Sequence, residues 1–310
     1  MTESNLVTVP AVWSVVAGAL LCGLAIFAVA LDAGLSARAH GAHGGWVHNR
    51  FARLLRQRRR TTVAADTMLW RTGGMGMFTG AFLMIAVIPF GSWTLTDLDV
   101  GVVWFNTIDV MVWALVWITG WGANSTHSLI GGYRFLAHGL AYELPLMFAL
   151  VAPAIAAGSL RVGAVAAAQE DELWFAVWMP VAFLIYLIGV MGFSVWGPFA
   201  AAVATDIVGG AGAELSAVDR LVFHAGRYLF LAAGSAFAVP MFLGGGAGPW
   251  LPGWTWVLLK TMAVLAVLVW LRRKIPFLRP NRFMTIGWTI LLPAIVIQDL
   301  VVSVVVVGKG

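Results

Sequence analysis

Residues 11–31 read AVWSVVAGALLCGLAIFAVAL and contain no charged side chain. At a rise of about 1.5 Å per residue this run makes a helix of roughly 30 Å, the thickness of the hydrocarbon core of a bilayer. Apolar runs recur to the end of the 310-residue chain, in which 61% of residues are hydrophobic and 11% are charged. Soluble domains average about 45–50% apolar and about 25% charged residues, so the composition predicts an integral membrane protein.

The apolar runs predict eight membrane spans. A bilayer offers no partner to an unpaired backbone group, so the predicted fold class is all-α, a polytopic bundle of eight transmembrane helices with short cytoplasmic amphipathic helices. We treat residues 1–310 as a single integral membrane domain. The predicted spans are residues 11–31, 75–92, 100–118, 141–158, 174–194, 221–243, 251–270 and 286–307.

Basic residues are concentrated in loops on one side of these spans. Eight arginines lie in residues 32–73 and five basic residues in residues 271–285, whereas the opposite side has few. By the positive-inside rule, the basic loops face the cytoplasm and both termini lie outside a bacterial cytoplasmic membrane. The basic run at 56–60 could also bind anionic lipid or nucleic acid, but we interpret it as a topology anchor in the lipid bilayer, without a nucleic-acid partner.

The chain lacks the usual ligands of a redox centre. Its single cysteine, Cys22, lies in the first apolar run, which excludes a disulfide, a thiolate zinc site and an iron–sulfur cluster within the chain. All the histidines are predicted in loops or at span edges, so paired haem ligands at mid-membrane depth are not expected. We predict that this chain binds no metal or cofactor and that any redox centre belongs to a partner.

The third-to-fourth loop, residues 120–143, is too specific to be a plain connector. From Ser128 its apolar positions repeat with helical spacing, which predicts a short helix entering a span. Glu143 then falls at the cytoplasmic boundary of that span. A carboxylate at this depth costs up to a few kcal/mol unless it is paired or hydrated, so it is a functional candidate. The alternative is an interfacial acid solvated by the loop.

This segment resembles the quinone-channel membrane subunit of bacterial respiratory complex I (NADH:quinone oxidoreductase), known as its H subunit. The family pattern G-W-x-x-N-x-x-x-S-L-x-G-x-x-R-x-x-A-x-x-x-x-Y-E matches residues 120–143 without a gap. Residues 97–101 resemble the family's approach to its third span. Further matches in order and spacing are Pro252-Gly253-Trp254, Leu259-Lys260, Trp270-Leu271-Arg272, Gly287-Trp288 and Leu291-Leu292-Pro293.

The resemblance implies a subunit that forms an access tunnel for a quinone such as ubiquinone and couples quinone reduction to proton translocation. It also implies other membrane subunits, and peripheral subunits that carry flavin and iron–sulfur clusters, so the chain alone would be inactive. The residues that it implicates are Glu143 and Arg134 at the tunnel and coupling entry, Asp206 and Glu214 in the quinone loop, and Arg279 in the loop facing the peripheral arm.

Several family acids are replaced in this chain. The family's carboxylate-rich R-x-P-F-D-L-P-E-x-E loop reads WGPFAAAVATD at 196–206, and the family's G-E-Y becomes G-R-Y with Arg227. Asp66 belongs to a faint remnant of the motif in the first cytoplasmic loop. These departures leave open whether proton pumping passes through this subunit.

Charges within the predicted spans form a second set of candidates, because each costs on the order of several kcal/mol in hydrocarbon when unpaired. Asp299 lies at a depth similar to that of Lys260 and is a candidate partner for it. Asp109 and Arg227 both depart from the family pattern with opposite signs, which predicts a buried ion pair; separate solvation in a water-filled cavity is the alternative. With Asp66, these residues are the predicted proton-path or buried charges.

Two other functions stay open at this point. Membrane-bound hydrogenases and formate hydrogenlyases have related anchor subunits, but their third-to-fourth loop carries an S-R-E element and an A-E-P ending. Tyr142-Glu143 matches the quinone branch better. An autonomous transporter is disfavoured because neither repeats nor broken helices are evident.

Overall fold

The computed structural model describes residues 6–40, 52, 54–170, 173–204 and 209–309. The regular elements of the described part are helices and one short parallel strand pair, β1 (Val7–Thr8) and β2 (Trp93–Thr94). A 3-10 helix covers Gly197–Val203, and a π-helical segment covers Gly287–Leu291. The α-helices are α1 (Trp13–His40), α2 (Thr67–Ile85), α3 (Gly101–Gly122), α4 (Thr126–Ala157), α5 (Val162–Ala167), α6 (Phe175–Trp178), α7 (Pro180–Phe193), α8 (Ala217–Phe242), α9 (Gly253–Lys274), α10 (Pro280–Ile286) and α11 (Leu292–Lys309).

The all-α membrane fold is confirmed, although the number of spans differs by one from the predicted eight. Among the described residues, seven helical segments are long and apolar enough to cross a membrane: Trp13–Ala39, Gly101–Gly122, Thr126–Ala157, Pro180–Val203, Ala217–Phe242, Gly253–Lys274 and Pro280–Gly308. The second predicted span, residues 75–92, corresponds to α2 but begins too late. Asp66 caps α2 by accepting hydrogen bonds from the amides of Met68 and Leu69, so the helix starts eight residues earlier than the apolar run.

Helix α8 forms the centre of the bundle and packs against α1, α2, α7 and α9. Every residue from 229 to 242 is buried, and many of them are small, which lets the neighbouring helices approach closely. The Phe237 ring stacks on Phe105 of α3 with 3.7 Å between the ring centroids. In contrast, α11 exposes a row of apolar side chains that suits lipid or another membrane subunit.

The loops form two groups at opposite ends of the bundle. At one end, β1 pairs with β2, and Arg161 forms ion pairs with Asp97 and Asp99. At the other end, Arg59 pairs with Asp219 at the start of α8, with 2.6 Å between Nε and Oδ2. The first group is the one predicted to lie outside and the second contains the basic loops. Which group faces the cytoplasm stays a prediction.

Candidate functional site at the α3–α4 interface

The segment 120–143 begins in a layer of loops that are hydrogen-bonded to one another at the basic end of the bundle. The hydroxyl of Thr62 donates to the carbonyl of Ala123, and the side-chain amide of Asn124 donates to the carbonyl of Val63 at 3.1 Å. The hydroxyl of Ser125 donates to the Glu214 carboxylate at 2.8 Å. The predicted quinone-loop residue Glu214 therefore lies against the start of α4.

Gly131 and Arg134 bind the next loop, residues 209–214, to the side of α4. A Cβ on Gly131 would collide with the backbone of residues 210 and 211, so only glycine allows this approach. The Arg134 guanidinium donates to the carbonyl of Gly209 at 2.8 Å and to that of Ala201 at 3.3 Å. Arg134 thus holds the loop that leads to Asp206, a predicted site residue that lies outside the described residues.

Glu143 lies on α4 below this layer, nine residues or about 13 Å beyond Arg134 along the helix. Its side chain is buried, and Oε1 accepts a hydrogen bond from the Asn106 amide of α3 at 3.1 Å. The other oxygen, Oε2, is buried with no hydrogen-bond partner among the described residues. Because Glu143 is buried, the structure does not support the alternative of a solvated interfacial acid.

Asp109 contributes a second carboxyl group at the same interface. It lies one helical turn beyond Asn106 on α3, is 0% exposed, and approaches Glu143 closely enough for the two carboxyl groups to interact directly. One turn further along α3, Trp113 donates from Nε1 to the Tyr142 hydroxyl at 3.2 Å. One face of α3 is therefore polar from Asn106 to Trp113 and packs on Tyr142 and Glu143.

The predicted Asp109–Arg227 ion pair is wrong. The Arg227 guanidinium donates to the carbonyl of Val195, just past the end of α7, and contacts Nδ1 of His224 at 3.2 Å. Asp109 instead faces α4. The two residues belong to different interfaces, and depth in the membrane could not reveal that.

Lys260 and Asp299 do not pair either. The Lys260 ammonium donates to the carbonyls of Leu243, Gly245 and Ala247 at 2.6, 3.0 and 2.8 Å, and it lies 4.2 Å from the centroid of a Trp174 ring. Both carboxylate oxygens of Asp299 are buried without a hydrogen-bond partner in the described part of the chain.

The two remaining predicted residues lie at the surface. Arg279 is exposed at the position that precedes α10. Asp66 is an exposed helix cap and therefore not a buried charge. Neither contacts the α3–α4 interface in the described structure.

An ionic cluster around Asp32 was missed by the sequence analysis. Asp32 of α1 accepts from Arg272 at 2.7 Å, from Arg273 at 3.1 Å and from the Tyr228 hydroxyl at 3.2 Å, so it joins α1, α8 and α9. The Arg272 guanidinium also lies 4.5 Å from the centroid of a Trp196 ring. Asp32 sits at the end of the first apolar run, as Glu143 sits at the start of another, and this was the signal that could have identified it.

His138 departs from the expectation that all the histidines lie in loops or at span edges. It is fully buried within α4, against the rings of Phe199 and Phe283. A groove of about 490 Å³ runs along the outer face of α2, where it is lined by residues between Thr67 and Thr79. None of the predicted site residues lines that groove, so we do not assign the site to it.

Comparison with known proteins identifies relatives over most of the chain. A family model described as NADH dehydrogenase matches residues 47–303. The chain is 35% identical to an H subunit of the NADH-quinone oxidoreductase of Geobacter metallireducens over 71% of this chain and 70% of the relative. It is 34% identical to the corresponding protein of Geobacter sulfurreducens over 77% and 76% of the two chains. It is 32% identical to that of Geobacillus kaustophilus over 78% and 74%.

Proposed function

The chain belongs to the family of NADH-quinone oxidoreductase H subunits, and on that basis we propose that it forms the quinone-access tunnel of a complex I-like enzyme and couples quinone reduction to proton translocation. The observation that carries this proposal is that one helix, α4, carries both Arg134, which holds the 209–214 loop, and the buried Glu143. Arg134 lies among the loops, and Glu143 lies within the helix bundle.

The chemistry of quinone reduction fits this arrangement. Reduction of a quinone to a quinol takes up two electrons and two protons, and no redox centre is expected on this chain. The electrons would come from peripheral subunits that carry flavin and iron–sulfur clusters. A buried carboxyl group responds to a nearby change of charge by binding or releasing a proton, because burial makes its ionised form costly. Glu143 is such a buried carboxyl group.

Orientation in the membrane is part of the proposal. The basic loops, including the Arg59–Asp219 pair, would face the cytoplasm, where peripheral subunits dock, and both termini would lie outside. Exposed Arg279 lies at the same end as the other basic loops and is available to a peripheral partner.

The test is to purify the complex from its host through a tag on this chain and to measure quinone reduction and proton translocation with the Glu143→Gln variant. The amide retains an oxygen for Asn106 but cannot bind and release a proton, so we expect coupled turnover to fall by at least about tenfold. Glu170→Gln is the matched control, because Glu170 is an exposed acid at the opposite end of the bundle.

Two results would contradict the proposal. One is a tagged preparation that contains no iron–sulfur subunit and reduces no quinone. The other is a Glu143→Gln complex with the same coupled turnover as the Glu170→Gln control.

A further inference from the structure

Four buried oxygen atoms at the α3–α4 interface have no hydrogen-bond donor in the described part of the chain. They are both carboxylate oxygens of Asp109, Oε2 of Glu143 and the amide oxygen of Asn106. Buried polar atoms in folded proteins nearly always have a partner, so this cluster calls for a physical explanation. The donor that the interface does supply is the Asn106 amide group, which is directed at Oε1 of Glu143.

The two acids have no neutralising cation within the described structure. The ion pairs of the described residues involve neither Asp109 nor Glu143. The buried guanidinium on helix α8, that of Arg227, is directed at the carbonyl of Val195. Two ionised carboxylates in contact within the bundle would repel each other, and each would lack hydration.

The titratable groups described on α2, α4 and α7 around this interface are not seen to supply a positive charge to it. Tyr142 accepts from Trp113, and the Tyr186 hydroxyl of α7 donates to the carbonyl of Gly234 at 2.7 Å. Arg134 is engaged with the 209–214 loop, His138 lies between two phenylalanine rings, and Arg71 of α2 is exposed. A proton on one of the two carboxyl groups relieves the repulsion.

We propose that Asp109 and Glu143 bind one exchangeable proton between them, with the Asp109 carboxyl group donating a hydrogen bond to the Glu143 carboxylate. The Asn106 amide group determines which of the two carboxyl groups accepts the shared hydrogen bond. Because it donates to Glu143, it stabilises the ionised form of Glu143, and the proton stays on Asp109. The pair then carries a single negative charge, and the shared proton provides a donor for one of the four oxygens, Oε2 of Glu143.

This inference rests on the proposed function and makes it more specific. Protons that pass Glu143 would be stored on a two-residue site with one carboxyl group from each of two helices. Because α3 and α4 both contribute, a movement of one helix against the other would lengthen the shared hydrogen bond and release the proton. Glu143 alone could not respond in this way.

The test is infrared spectroscopy of the intact complex, in which the spectrum of the unmodified complex is compared with the spectra of complexes that contain variants of this chain. A protonated carboxyl group gives a C=O stretching band that shifts in D₂O. We expect Asp109→Asn to remove one such band, and Glu143→Gln to keep it but move it to higher frequency, because an amide oxygen is a weaker acceptor than a carboxylate. Asp299→Asn, the matched control at a separate buried acid, should leave that band unchanged. Equal recovery of the assembled complexes shows that the variants fold.

The proton-pumping measurement provides a second readout. The Asp109→Asn and Glu143→Gln variants should lower proton translocation by similar factors, and the double variant should lower it no further, since residues that share one proton are not additive. A spectrum in which Asp109→Asn removes no band, or a double variant whose loss is the product of the two single losses, would overturn the shared proton. If the unmodified complex neither reduces quinone nor pumps protons, the proposed function fails, while the infrared bands still decide whether the pair exists.

Discussion

The ionic cluster around Asp32 gives a stability prediction whose size follows from its geometry. We expect Asp32→Asn to lower the free energy of unfolding. The asparagine keeps the shape of the side chain but removes the charge that Arg272 and Arg273 contact at 2.7 and 3.1 Å. It also places an amide group where one of the carboxylate oxygens now accepts hydrogen bonds.

The expected loss is about 2–3 kcal/mol. A hydrogen bond to a charged group contributes about 1.5–3 kcal/mol, and removal of one partner from a buried ion pair costs about 3–5 kcal/mol. The Asp32 side chain is 11% exposed, but those of Arg272 and Arg273 are 37% and 25% exposed, so water replaces part of what the arginines lose. We therefore place the loss within the first of these two ranges, below the cost of breaking a fully buried ion pair.

Asp219 provides the matched control. Its side chain is 15% exposed and, among the described residues, pairs only with Arg59, which is 38% exposed, whereas Asp32 contacts two arginines and the Tyr228 hydroxyl. For one pair with an exposed arginine, a loss of about 0.2–1 kcal/mol is normal. Denaturant unfolding of the detergent-purified chain, followed by tryptophan fluorescence, should separate Asp32→Asn from Asp219→Asn by more than about 1 kcal/mol. Equal losses would refute the reasoning, as would a double-mutant cycle between Asp32 and Arg272 with a coupling energy below about 0.5 kcal/mol.

Three further predictions concern the loops. Gly131→Ala should push the 209–214 loop away from α4, and protease cleavage within that loop should become faster; unchanged cleavage would contradict the close approach. Lys260→Met should speed amide hydrogen exchange in the loop after α8 whose three carbonyls it binds, and unchanged exchange would show that Lys260 does not hold that loop. In a chain whose Cys22 is replaced by alanine, a cysteine at Arg60 should react with an impermeant thiol reagent only from the cytoplasmic side; labelling from outside would reverse the topology.

The sequence predicted the class of fold and a helix that leads into the span at Glu143, because both depend on spacing along the chain. It placed Glu143 at the start of that span, whereas the residue lies midway along α4. Apolar runs of about 20 residues determine that helices cross the membrane, and the pattern from Gly120 to Glu143 places Arg134 and Glu143 on α4. The second span was misplaced because hydropathy does not locate helix caps. Asp66 starts α2 in a segment that is too polar to be included in the apolar run.

The partners of the buried charges could not be predicted from depth alone, because depth does not give the direction in which a side chain faces around its helix. The proximity of Asp109 and Glu143 could still have been predicted by counting residues from the turn that connects α3 to α4. Asp109 lies 13 residues before the end of α3 at Gly122, and Glu143 lies 17 residues after the start of α4 at Thr126. Since a short turn makes these helices antiparallel neighbours, the two acids lie about 20 and 25 Å from the same turn.

The partners of the two buried cations, Arg227 and Lys260, explain why the predicted ion pairs were wrong. Arg227 donates to the carbonyl of Val195, just beyond the end of α7, and Lys260 donates to the carbonyls that follow the end of α8. These carbonyls lie just beyond helix C-termini, where the negative end of the helix dipole favours a cation, so they stabilise Arg227 and Lys260 without a carboxylate. When helix ends satisfy these cations, Asp109, Glu143 and Asp299 are left without a counter-ion among the residues that the structure describes. For Asp109 and Glu143, which face each other across one interface, a bound proton takes the place of the cation that the sequence led us to expect.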